Sequence, residues 1–167
     1  PGVVRMDKVN EWMFQPGLPS DAPNPTSDAF DKVDSATAAW LKGDTTAAQL
    51  PTANWTVHEW LHFLNNLPRD LSQDKMAMLD SEFKLTQSTN AENAFARFML
   101  AVGNGYQPIY PALDKHLSGI GRRKLIVPLY KALITNGKRE WAHEVYLKAR
   151  PGYHPLAQGT IDDLFAK

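Results

Sequence analysis

Residues 56–64, Thr56-Val57-His58-Glu59-Trp60-Leu61-His62-Phe63-Leu64, place Val57, Trp60, Leu61 and Leu64 at offsets 0, 3, 4 and 7. That is the spacing of one apolar stripe on an α-helix. Thr56 followed three residues later by Glu59 gives the helix a start, because the hydroxyl and carboxylate can satisfy each other's backbone N–H groups. The same period recurs on both sides. Phe30, Val33, Trp40 and Leu41 form a stripe with Thr37 as its polar member, and Met76, Leu79 and Phe83 form another. Phe95, Phe98, Met99 and Val102 repeat it, as do Leu125, Leu129 and Leu133 with Ile126, Tyr130 and Ile134 alongside, and Trp141, Val145 and Ala149. Sustained alternation of the strand type is absent, so the expected class is all-α.

Breakers fall between these stripes at Gly43, Pro68, Gly103 with Gly105, Gly119 with Gly121, and Gly137. Connections this short suit antiparallel helix neighbours, so the expected architecture is a coil of antiparallel helical hairpins, as in α-solenoids. Gln15 to Ser27 holds four of the chain's 12 prolines and reads as an extended arm, since proline blocks helix interiors and restrains the residue before it. The expected division is an arm over residues 1–26 and a helical domain over 27–167.

A chain of 167 residues fits one domain and can bury about 70% of its unfolded surface. Lys plus Arg and Asp plus Glu are 18 each, which gives no electrostatic drive toward nucleic acid or an anionic membrane. With no cysteine there are no disulfides, thiolate metal sites or cysteine nucleophile. No apolar run approaches the roughly 18 residues of a membrane span. Pro1 to Asn10 lack the apolar region of a signal peptide, so a cytoplasmic location is expected, although a signal upstream of residue 1 would not be visible in this sequence.

Two candidate sites stand out. His58-Glu59-Trp60-Leu61-His62 is a literal H-E-x-x-H. In that pattern two histidines four apart reach one zinc ion and the glutamate acts as general base. Read as a zinc site, His58 and His62 would be ligands, Glu59 the base and Glu82 the third ligand. Glu82 follows His62 after 19 intervening residues, one more than the spacing of gluzincins. Against zinc stands the capping box formed by Thr56 and Glu59. The pitch of about 100° per residue also puts His58, His62 and Glu59 away from the apolar stripe.

The second candidate is Gly119-Ile120-Gly121-Arg122-Arg123-Lys124, which leads into Leu125-Ile126-Val127-Pro128-Leu129-Tyr130. The helix begins either near Arg122 with a kink at Pro128, or with Pro128 in its first turn. Either way three cations lie at the positive pole of the helix dipole, at a cost of a few tenths of a kcal/mol each. An anion would reverse that cost, because free N–H groups beside a guanidinium make a carboxylate or phosphate site. A solvated basic turn is the plain alternative.

Smaller signals add little. Asn54-Trp55-Thr56 matches a glycosylation pattern, but Thr56 already serves as a cap. Trp12, Phe14, Trp40, Trp55, Trp60 and Trp141 read as core anchors, since no basic groove accompanies them. No G-x-S-x-G elbow occurs, and Gly103-Asn104-Gly105 has no preceding strand to make it a phosphate cradle.

Three segments carry a family resemblance. Trp12-Met13-Phe14-Gln15-Pro16-Gly17-Leu18-Pro19 resembles the W-x-x-x-P-G-L-P segment that joins the catalytic and C-terminal domains of the leukotriene A4 hydrolase family of zinc aminopeptidases (gluzincins). Gly121-Arg122-Arg123-Lys124 with Pro128-Leu129-Tyr130 is similar to its G-R-x-K…P-L-[FY] segment, and Tyr153-His154-Pro155 to its x-H-P element. The matches keep their order from residue 12 to residue 155. The arm from Ser20 to Ser27 and the loop from Thr86 to Asn90 match nothing diagnostic.

The resemblance implies an armadillo-like, right-handed α–α superhelix that closes one side of an active-site cleft. It implies that Arg122 is the main ligand of a peptide substrate's carboxylate and Lys124 its helper, with no role for Arg123. Zinc and the catalytic glutamate would belong to a partner catalytic domain upstream in the same chain. No cofactor would be bound by these residues and no catalytic residue would lie among them. His58–His62 would then be an ordinary helix. Two rival readings are a miniature zinc peptidase built on His58, His62 and Glu82, and an α-solenoid that presents a concave face to a protein partner.

Overall fold

A computed structural model describes residues 5–19, 21–23, 26–84 and 90–166. Among these, α-helices are the regular structure, joined by short turns, and there is no strand. Residues 1–4, 20, 24–25, 85–89 and 167, with parts of the arm and of the Thr86–Asn90 loop, lie outside the described residues.

The helices are α1 Met6–Phe14, α2 Ala29–Lys42, α3 Val57–Asn66, α4 Gln73–Phe83, α5 Ala91–Gly103, α6 Tyr110–Gly119, α7 Arg123–Thr135, α8 Arg139–Ala149 and α9 Pro155–Phe165. Their packing makes two layers. One row runs α3 on α5, α5 on α7 and α7 on α9; α2 packs on α3, and α8 packs on both α6 and α7. Each helix of the row is separated from the next by a returning helix, as expected of stacked hairpins. No helix among the described residues is long and apolar enough to cross a membrane.

The stops are chemical. Gly43 ends α2 at φ 89°, and Gly137 follows α7 at φ 72°. A Cβ is strained at such angles, so glycine turns the chain there most easily. Ser72 caps α4 by accepting from Lys75 N at 3.3 Å. Asn90 caps α5 through Oδ1, which accepts from Glu92 N at 3.1 Å and Asn93 N at 3.0 Å.

The core runs along the interface between the rows. Leu125, Ile126, Leu129, Tyr130 and Leu133 of α7 are fully buried, as are Leu113 and Leu117 of α6. The stripe expected on α3 is rotated in the structure. Val57 is exposed while Phe63, Leu64 and Leu67 are buried, so the buried face is centred about 60° from the expected one. Rings cause this: Phe63 lies 5.2 Å from Trp55 and 6.4 Å from Trp40, a cluster the α3 pattern alone does not contain.

The helix α1, Met6–Phe14, lies before the proline-rich stretch that begins at Gln15. One expectation is corrected. Trp12 and Phe14 are exposed and are not core anchors, whereas Trp40 is buried and Trp55, Trp60 and Trp141 pack partly buried against the core.

Candidate functional site

The start of α7 resolves the question that Pro128 left open. The helix begins at Arg123 with Arg122 as N-cap and carries Pro128 inside it. Leu125 N and Ile126 N both donate to Arg122 O, at 2.8 and 3.2 Å, which fixes the backbone at the first basic residue. Arg122 and Lys124 therefore project from the first turn of α7.

Both cations meet one carboxylate. Arg122 Nη1 donates to Glu92 Oε1 at 3.2 Å, and Lys124 Nζ lies 3.1 Å from both Glu92 oxygens. Glu92 sits in the first turn of α5, so the N-terminal ends of α5 and α7 adjoin. The segment leading into α9 joins them, since a Cβ on Gly121 would stand 3.5 Å from Gly152 O. The positive poles of α5 and α7 thus adjoin at one edge, where they favour negative charge, and the Gly152–Tyr153 turn that leads into α9 packs beside Gly121. Arg123 turns elsewhere and donates through Nε to Thr160 Oγ1 of α9 at 3.1 Å.

The edge is braced from beneath. Tyr153 OH donates to Leu117 O at 2.5 Å and lies 3.0 Å from Tyr130 OH. Burial pushes both phenols above their ordinary range, so they remain neutral hydrogen-bonding groups. Tyr130 comes from the Pro128-Leu129-Tyr130 segment and Tyr153 from Tyr153-His154-Pro155. Two of the three quoted segments therefore meet in the core below Arg122. His154 is the N-cap of α9, with Nδ1 accepting from Leu156 N at 3.2 Å and Pro155 opening the helix.

The H-E-x-x-H stretch is built as a cap. Thr56 N donates to Glu59 Oε2 at 2.8 Å while Glu59 N donates to Thr56 Oγ1 at 3.3 Å. The Thr56 hydrogen bonds hold the Glu59 carboxyl below its ordinary pKa. His62 is fastened to α2: Nε2 is 2.7 Å from Asp34 Oδ1, and its ring stacks on Phe30 at 4.3 Å. Among the described residues no three His, Asp or Glu side chains gather so as to hold a metal ion. The ligand set His58, His62 and Glu82 is thereby corrected, because helix geometry turns each to a different task or to solvent.

Sequence reasoning missed Glu92. Its available signal was Asn90, a cap residue that puts Glu92 in a first helical turn, but nothing in the order of residues says that α5 and α7 adjoin.

A family model described as "Leukotriene A4 hydrolase, C-terminal" matches residues 55–165. Leucine aminopeptidase 2 of Ajellomyces capsulatus is 27% identical over 165 residues, covering 93% of this chain and 26% of that protein. Leucine aminopeptidase 2 of Pyricularia oryzae is 27% identical over 154 residues, covering 89% and 24%. The solved structure of native yeast leukotriene A4 hydrolase has the same fold, with a TM-score of 0.67 at 20% identity over 95% of this chain and 29% of the other. The bestatin complex of the yeast enzyme gives 0.65 over 93% of this chain. The chain spans about a quarter of the length of the curated relatives it matches. With the family model covering more than half of it, the chain belongs to the leukotriene A4 hydrolase C-terminal domain family.

Proposed function

We propose that these residues form the cleft-closing C-terminal domain of a zinc-dependent aminopeptidase, in which Arg122 receives the carboxylate end of the peptide and Lys124 assists. One observation carries the reading: Arg122 and Lys124 stand together where the positive ends of α5 and α7 adjoin. Arg122 commits Nη1 to Glu92, and no other guanidinium nitrogen of Arg122 has a protein partner among the described residues. The remaining edge of the fork can donate two parallel N–H bonds to a carboxylate. Holding that end of the peptide sets where its N-terminal end lies, a positioning effect on kcat/KM.

Zinc would be held by the upstream catalytic domain, since these residues do not form its site. The domain alone binds and orients; hydrolysis belongs to the assembled enzyme. The names of the fungal relatives support a peptidase activity.

The test is made in the enzyme with its zinc domain in place. Arg122→Ala is expected to lower kcat/KM for a tripeptide at least about tenfold, and Arg122→Lys not to restore it, because an ammonium lacks the planar fork. A kcat/KM within about twofold of wild type in Arg122→Ala would overturn the reading.

A further inference from the structure

Glu92 holds a position that the carboxylate reading does not require. It lies 30 and 32 residues from the two cations, yet both converge on it. Lys124 Nζ is equidistant from its two oxygens at 3.1 Å, so the ammonium is turned onto Glu92 rather than outward. The glutamate side chain is 32% exposed and both cations are 63% exposed. Its backbone is fixed in the first turn of the 13-residue α5, where Asn90 caps Glu92 N and Asn93 N. Glu92 and the two cations are thus all carried on fixed helix starts, and both cations share the one acid. An ion pair this exposed contributes little to stability, so its consequence is to be sought in ligand binding.

Counting charge gives the consequence. Two cations and one carboxylate leave the cluster at a net charge of +1, which one substrate carboxylate neutralises. A peptide ending in Asp or Glu brings a second carboxylate to a place where Lys124 is already engaged and Glu92 repels it. We propose that Glu92 is a specificity residue that trims the Arg122–Lys124 pair to a single positive charge, so that the site accepts a peptide with one C-terminal carboxylate and disfavours one whose last side chain adds another. This rests on the reading of Arg122 as the carboxylate ligand. At separations of about 5–8 Å in a partly solvated cleft, one charge on Glu92 is worth a several-fold change in binding of a second anion, and salt weakens it.

The experiment compares two tripeptides, Ala-Ala-Asn and Ala-Ala-Asp, in the assembled enzyme as wild type, Glu92→Gln, Glu92→Asp and Arg122→Ala. Wild type is expected to show the higher KM for the peptide ending in Asp. Glu92→Gln is expected to lower that KM at least about threefold relative to the KM for the peptide ending in Asn, with kcat little changed. Glu92→Asp keeps the charge and is expected to retain the wild-type ratio. A ratio in Glu92→Gln within about 1.5-fold of wild type, or a stronger discrimination than wild type, would overturn the proposal. Arg122→Ala separates the two ideas. If it weakens both peptides while Glu92→Gln leaves their ratio unchanged, the carboxylate site stands and the role of Glu92 falls. If it changes neither peptide, the carboxylate site itself falls, and the proposal with it.

Discussion

Thr56 and Glu59 show how one short pattern supports two chemistries until the third dimension separates them. Their side chains close a ring with the backbone at the start of α3, and His62 is tied to Asp34 and Phe30. The capping box was legible because it is local, spanning four residues. The partner of His62 was not, since Asp34 lies 28 residues away on α2. Zinc measured by ICP-MS on the untagged chain after dialysis against zinc is expected to fall below about a tenth of an ion per chain, as no complete ligand set forms among the described residues. Near one ion per chain, lost in His62→Ala, would contradict this. Arg122 and Lys124 were legible as a break in the helix-dipole rule. Glu92 was not, because its importance comes only from the packing of α5 beside α7.

At the scale of elements, the helix stripes located α2, α3, α4, α5, α7 and α8 but not α1, α6 and α9, and they gave rotation less well than position. On α7 the predicted face is the buried one, because both flanks of that helix are covered by α5, α8 and α9. On α3 the exposed Val57 and buried Phe63 record the aromatic cluster with Trp40 and Trp55, which recruits residues from three separate segments. The end of α9 depends on charge. Asp162 accepts from Arg150 Nη2 at 2.7 Å and Nε at 3.0 Å, and from the Tyr146 hydroxyl. The Arg150 bonds hold its carboxyl down at about 2. A depressed carboxyl pKa contributes stability that is present above the ordinary carboxylate range and is lost as pH falls toward the folded value. Urea midpoints should therefore drop between about pH 4 and pH 2, with a shallower slope in Asp162→Asn. Equal slopes in the two proteins would contradict the assignment.

Across the whole molecule, the alternation of helices into two rows brings the starts of α5 and α7 to a common edge, with the turn before α9 packed beside it. That convergence brings two short sequence segments, Gly121–Tyr130 and Tyr153–Pro155, together. Tyr130 and Tyr153 lock the segments together, while Arg122 and Lys124 meet on Glu92. The all-helical class followed from periodicity, and the stacked hairpins followed from short connections. The common edge required knowing which helices neighbour which, and periodicity carries no such information. Met6, Trp12, Met13, Phe14 and Leu18 remain exposed on and just beyond α1. The central claim is that the edge recognises a carboxylate, and it is tested most directly by replacing that group. In the assembled enzyme, a tripeptide acid should have a kcat/KM at least about tenfold above its C-terminal amide, and Arg122→Ala should erase that difference. Equal kcat/KM for the acid and the amide in the wild-type enzyme would contradict it.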